Sequence, residues 1–165
     1  MYSLEELSDR VEIQDRLNMY CHAFDRADWD ALDGIFLPET TFDFTSVEVP
    51  TVLTWTQLKV RLRDGAEIPF NQHIYTNSYI EFDNGRSTAV VQTKVFNPQC
   101  APGPDGRLHT FAGHGEYRDE WRRTDAGWRI VTRQWTCRHN SGDYPYDRPL
   151  SQAGQQAVVA FARGH

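Results

Sequence analysis

What this chain lacks narrows its chemistry before any motif is read. It has three cysteines, Cys21, Cys100 and Cys137. The number is odd and no CxxC spacing occurs, so neither a disulfide framework nor a thiolate zinc site is expected. HExxH, HxH and calcium-loop spacings are missing too. His109 and His114 lie five residues apart, on opposite faces of a strand, so no metal is expected. There is no GxSxG elbow, P-loop or GxGxxG turn to seat a nucleotide, which makes cofactor-free chemistry the expectation. Basic residues are outnumbered, 17 against 23 acidic for a net charge of −6, and nucleic acid as a partner needs the opposite balance. Arg122, Arg123, Arg129 and Arg133 cluster, but on a hairpin whose alternate residues face opposite ways. No apolar run approaches the ~18–20 residues of a membrane span. The opening MYSLEELSDR is acidic and amphipathic rather than basic then apolar, so a signal peptide is not expected and a cytoplasmic location is.

What is abundant is aromatic: five Trp, seven Tyr and nine Phe in 165 residues, enough to build one core and line a cavity for a flat apolar ligand. No repeat, low-complexity tract or linker divides the chain. Ser3 and Glu6 form a capping-box start, and Leu4, Leu7, Val11, Leu17, Cys21 and Phe24 recur at helical spacing to about residue 25. A second helix is read from Asp28 through DWDALDGIFL to Pro38. Residues 40–46 alternate like a strand. A third helix is read from Thr56 to Arg63, capped by Thr54 and stopped by Gly65. From residue 72 the texture is strand: 72–82, a turn at Asp83-Asn84-Gly85, a return over 87–97, and a Pro/Gly-rich loop over 98–108. Two long strands follow, 109–123 and 127–139. The tail from 141 to 165 is read as a helix over Ser151–Arg163 after a stretch with Tyr144, Pro145 and Tyr146. Helices followed by long hairpins describe an α+β domain. Gly113 and Gly115 in one strand suit sheet curvature or close approach of a ligand.

Two residues stand out for chemistry. Asp25 sits near the carboxyl end of the first helix, where the dipole disfavours a carboxylate; it either serves a site or simply caps the next helix or faces solvent. His73 opens a strand on which His73, Tyr75, Asn77 and Tyr79 share one side. A lone strand histidine is usually structural, and a carboxylate partner would change that reading by fixing its tautomer and stabilising the imidazolium. His114 is read as pointing away from the face that Gly113, Gly115 and Tyr117 line. Arg133, Trp135 and Cys137 alternate on the last strand; Arg133 either faces a substrate oxygen or is a solvated strand arginine.

EIQDRLNMYCHAFDRADWDALDGIF, NQHIYTNSYIEF and GHGEYRDEWRRTDAGWRIVTRQW together resemble the SnoaL-like group of the nuclear transport factor 2-like superfamily, across roughly residues 4 to 140. That resemblance implies a cone-shaped barrel of curved antiparallel sheet, closed by three N-terminal helices around an apolar pocket. It is nearest, in its dyad, to scytalone dehydratase and hexachlorocyclohexane dehydrochlorinase, whose Asp and His fall at Asp25 and His73. It implies His73 as the base of a β-elimination, oriented by Asp25. The surrounding set departs from both enzymes. Phe24 and Phe44 stand where tyrosines position water, Asn97 where a second histidine stands, Gly115 and Tyr117 for a serine and an asparagine, and Tyr20 for a lysine.

The expectation is therefore a domain over 1–140 with a tail over 141–165, acting as a cofactor-free, dehydratase-like lyase on a small apolar or polyketide-like molecule. Asp25 and His73 would be catalytic. Tyr20, Phe24, Phe44, Asn97, Gly115, Tyr117, Arg133 and Trp135 would face the substrate, with Tyr20, Asn97 and Tyr117 donating to a developing oxyanion. An isomerase or cyclase needs the same proton abstraction. A ligand-binding or assembly subunit without turnover is the alternative from another class. A homodimer or higher homo-oligomer fits each reading, since one face of a long sheet needs covering.

Overall fold

The computed structural model describes residues 1–46, 52–63, 70–103 and 105–143. Helix α1 (Leu4–Asp25) starts at Ser3, whose Oγ accepts from the Glu6 amide at 3.1 Å. Only half of the expected capping box forms, because the Glu6 carboxylate turns instead to Arg10, 2.8 Å away. The buried stripe also differs from the one read in sequence. It runs through Asp9, Ile13, Leu17, Tyr20 and Ala23, while Leu4, Leu7 and Val11 are exposed. Asp9 draws this face inward, since its carboxylate accepts from the indole of buried Trp128 at 3.2 Å and pairs with Arg123.

The second helix is not an α-helix. Asp28 Oδ1 accepts from the Ala31 amide, one 3-10 turn follows over Ala31–Gly34, and the chain then leaves as strand β1 (Phe36–Asp43). Burial of Leu32, Ile35 and Phe36 holds this geometry, and Ile35 accepts a backbone bond from Ile130. Pro38 lies inside β1, where the register slips between Phe36 and Thr41; a proline is tolerated where a ladder bond is already missing. The Thr40 hydroxyl bridges the slip, accepting from Leu37 N and donating to Ile130 O. Strand β2 (Val52–Thr54), absent from the sequence reading, runs into helix α2 (Trp55–Arg63). Here the capping box is complete: Gln57 N donates to Thr54 Oγ1, and Thr54 N donates to Gln57 Oε1. The expected stop at Gly65 lies outside the described residues.

Strands β3 (Phe70–Asn71), β4 (Ile74–Phe82), β5 (Thr88–Pro102), β6 (Leu108–Thr124) and β7 (Gly127–Gly142) complete one sheet in the order β2-β1-β7-β6-β5-β3, with β4 also on β5. Most pairs are antiparallel, but β1 runs parallel to β7, so the sheet is mixed. Among the described residues it is open rather than a closed cone, with two α-helices instead of three. The loop read over 98–108 shrinks to the few residues between Pro102 and Leu108. Strand β7 extends to Gly142, and the tail helix read over Ser151–Arg163 lies outside the described residues. Trp121, Trp128, Ile130, Val91, Leu17 and Ile13 form the centre of the core; truncating one of its leucines typically costs ~2–5 kcal/mol.

Strand parity fails at one instructive place. Asn77 adopts φ of 54°, and the β4–β5 register shifts between Thr76 and Tyr79. This bulge turns Ser78 and Ile80 inward and leaves Tyr79 61% exposed, so Tyr79 does not share a face with Tyr75 as simple alternation predicts. Asparagine tolerates the left-handed region better than other side chains with a Cβ.

Candidate functional site

The end of α1 and the short stretch between β3 and β4 meet at Asp25 and His73. The His73 Nδ1 lies 2.7 Å from Asp25 Oδ1, and the His73 backbone N–H donates to both carboxylate oxygens at 3.0 and 3.1 Å. Three contacts offset the unfavourable placement of a carboxylate at a helix carboxyl end. Helix capping falls to Asp28, so Asp25 is left to the histidine. An ionised carboxylate only accepts, so Nδ1 carries a proton, and in the neutral form of the ring the lone pair falls on Nε2. Among the described residues no hydrogen bond engages Nε2. Rings of Phe24 at 4.7 Å and Tyr20 at 5.5 Å flank the imidazole, and its side chain is 7% exposed.

An aromatic wall continues from there. Tyr20 stacks on Tyr75 at 5.3 Å, Tyr75 meets Tyr117 at 5.5 Å, and Tyr117 meets Trp135 at 4.9 Å. Behind it lies Arg133, 1% exposed, its guanidinium 4.4 Å from both the Tyr20 and Tyr117 ring centres. Arg133 is neither a solvated strand arginine nor a free anion receptor. Its Nε and Nη2 donate to the two oxygens of fully buried Asp119 at 2.8 and 2.7 Å, and Nη1 reaches the Tyr75 hydroxyl at 3.4 Å. Burial favours a neutral arginine, but Asp119 and the surrounding tyrosines outweigh it and hold Arg133 protonated, above its ordinary range. Burial likewise raises the tyrosine hydroxyls, Tyr20 and Tyr75 furthest, so all three remain O–H donors. Partial burial pushes the Cys21 thiol up to about 12, away from the thiolate form.

The structure gathers most residues named from sequence, though several in altered circumstances. Tyr20, Phe24, Tyr117, Arg133 and Trp135 join this wall. Phe44 stands apart, stacked on Phe42 and reaching Tyr20 only through Phe42 and Phe36. Asn97 uses its amide hydrogens on Asn71 Oδ1 and Gln72 O, both at 3.0 Å. Gly115 makes room for the neighbouring strand, since a Cβ there would run into the Thr136 carbonyl. His114 is half-buried, its ring tilted against those of Phe96 and His139 and its Nε2 2.9 Å from Ser141 Oγ. The residues that sequence reasoning missed are Asp119 and Tyr75. The EYRDEWRR run carries charges on both strand faces and does not mark which one is buried, whereas Tyr75 shares the side assigned to His73 and was legible.

A separate cleft of about 520 Å³ lies at the opposite end of α1, lined by Leu4, Ser8, Arg86 and Arg123 among others. Its charges pair among themselves, Arg86 with Glu5 and Arg123 with Asp9, and it is remote from the dyad. Among the described residues no group of three or more potential metal ligands occurs, and no helix is long and apolar enough to cross a membrane.

The open α+β sheet with a long amino-terminal helix over it is a fold shared with a solved nuclear transport factor 2-like protein from Cytophaga hutchinsonii, which superposes with a TM-score of 0.62 at 16% identity, covering 78% of this chain and 97% of that one. Residues 5–134 match the SnoaL-like domain model, and the chain belongs to that family. An uncharacterised Mycobacterium tuberculosis protein, Rv2910c, is 31% identical over 138 residues, which is 81% of this chain and 88% of that one. A Novosphingobium aromaticivorans protein assigned as an aromatic ring hydroxylase superposes with a TM-score of 0.70 at 26% identity, covering 83% of this chain and 94% of that one. A protein of the same organism assigned as a scytalone dehydratase gives 0.70 at 17% identity, over 87% and 96%. A type 2 hexachlorocyclohexane dehydrochlorinase gives 0.72 at 15%, over 87% and 94%.

Proposed function

We propose that this chain is a cofactor-free acid–base enzyme, a dehydratase-like lyase acting on a small hydrophobic or aromatic molecule. The observation that carries the reading is the 2.7 Å contact between Asp25 Oδ1 and His73 Nδ1, which leaves Nε2 as the base. In the proposed step a C–H proton moves to Nε2 and its electron pair becomes the new π bond. The leaving group departs with its own bonding pair and takes the proton back from Nε2–H. Asp25 stabilises the imidazolium while it exists. In this reading the hydroxyls of Tyr20, Tyr75 and Tyr117, kept protonated by burial, would supply the donors to an oxygen that gains charge beside the breaking C–H bond. Solved neighbours assigned as a dehydratase and a dehydrochlorinase support elimination over other outcomes of the same proton abstraction.

The test is solvent-deuterium incorporation at the acidic carbon of aryl ketones and hydroxylated aromatic ketones, followed by NMR alongside product formation. His73→Ala is expected to lose ~10²–10⁴-fold in rate while still binding the ligand. Turnover that survives in His73→Ala defeats the reading. Binding with neither deuterium exchange nor product formation in the unaltered protein would make the chain a ligand-binding module instead.

A further inference from the structure

Strands β3 and β4 are one strand interrupted by one missing hydrogen bond. Asn71 pairs with Gln99 and Ile74 pairs with Phe96, so the register on the two sides of the gap is the same and Gln72 falls opposite Pro98. Gln72 N donates to Pro98 O at 3.1 Å. An antiparallel pair of this kind exchanges two bonds, but Pro98 has no N–H to return. The carbonyl of Gln72 would be left without its ladder partner. Asn97 fills the vacancy: its Nδ2 donates to Gln72 O and to Asn71 Oδ1, both at 3.0 Å. The amide is fixed in that orientation because Gln99 Nε2 donates to Asn97 Oδ1. Asn97 itself is 8% exposed.

The next residue is His73. In the alternation of an antiparallel ladder its N–H points away from β5, toward the free edge of the sheet, and there Asp25 receives it. We propose that Asn97 is a positioning residue for the dyad, its side-chain amide substituting for the backbone donor that Pro98 lacks and so aiming the His73 backbone and ring at Asp25. The proposal rests on the acid–base reading for its functional meaning, but the placement of His73 is measurable without any substrate.

The experiment is a rescue cycle. Asn97→Ala removes the substitute donor, Pro98→Ala returns the original one, and the double variant carries the backbone donor alone. The readouts are hydrogen exchange of the His73 backbone amide and the His73 ring N–H resonance, with the Ile130 amide in the core as control. Asn97→Ala is expected to speed His73 amide exchange about tenfold or more, the equivalent of one unmade hydrogen bond, and to broaden or shift the ring N–H signal while Ile130 is unchanged. Pro98→Ala should behave as the unaltered protein, and the double variant should return to within about threefold of it, less than one hydrogen bond's worth. An Asn97→Ala protein with unchanged His73 signals, or a double variant as perturbed as Asn97→Ala, overturns the proposal. Where Asn97→Ala does not fold, the double variant is compared with Pro98→Ala; a difference beyond about threefold is the same refutation. Failure of the acid–base reading looks different: the cycle behaves as described while His73→Ala keeps full turnover.

Discussion

Two histidines in this molecule each touch aspartate, and they are built for opposite ends. His73 meets one carboxylate, through Nδ1, and is nearly buried. His109 meets two, Asp143 at 2.8 Å from Nδ1 and Asp105 at 2.9 Å from Nε2, at a surface where both carboxylates are largely exposed. A carboxylate on each ring nitrogen demands a proton on each, so His109 is an imidazolium with no lone pair to offer. One carboxylate takes up only Nδ1 of His73 and leaves Nε2 without a partner among the described residues. The number of acceptors on the ring, more than the contact distance, separates a clasp from a base.

Asp119 and Arg133 extend the comparison to a contact in which no valence on the charged side is left open: a buried, bidentate pair roofed by two tyrosines. Removing one partner there strands the other charge away from water. Asp119→Ala is expected to cost ~3–5 kcal/mol of stability, the largest effect of any substitution considered. The double replacement Asp119→Leu/Arg133→Met should recover most of that loss, because both desolvation penalties vanish together. Urea unfolding of the three proteins measures this. A mild Asp119→Ala would mean that water reaches Arg133.

Asp25→Asn probes the open contact. The amide matches the carboxylate in shape and can still accept from the His73 backbone, so stability should change by only about 1 kcal/mol. What changes is the tautomer, since an amide can donate to Nδ1 and move the proton to Nε2, removing the base. Turnover is expected to fall by ~10²–10⁴-fold, with the ring proton moved from Nδ1 to Nε2 in nitrogen-15 spectra. Full activity in Asp25→Asn would place His73 outside the chemistry.

These contacts also separate what could be read in the sequence from what could not. The pairing of Asp25 with His73 was legible because a helix end and a strand start recur in a known arrangement. The long β6–β7 hairpin was legible because Gly127 at φ of 93° closes a turn whose Thr124 hydroxyl donates to the Gly127 carbonyl. The Asp119–Arg133 pair was hidden, since Arg118, Asp119 and Glu120 are consecutive charges and only tertiary packing chooses which one to bury. Pro98 read as the start of a loop because its missing donor normally ends a strand. It did not do so here, as Asn97 supplies the donor from its side chain. Tyr79 was misplaced for a third reason: one left-handed residue, Asn77, reverses the parity of everything after it.

The clasp at His109 gives the smallest effect and the clearest sign. Hydrogen bonds to Asp105 and then Asp143 raise its imidazole above the ordinary value of 6.5. A group whose folded value is raised stabilises the fold fully below its unfolded value, and that contribution fades as pH climbs through the folded one. The melting temperature of the unaltered protein should therefore exceed that of His109→Gln in mildly acidic solution. The gap should close between about pH 6.5 and the higher folded value, and shrink further in salt because the carboxylates are exposed. A gap that stays constant with pH would show a neutral ring held by a single bond. His109 would then resemble His73, and the count of carboxylates could no longer be what tells the two histidines apart.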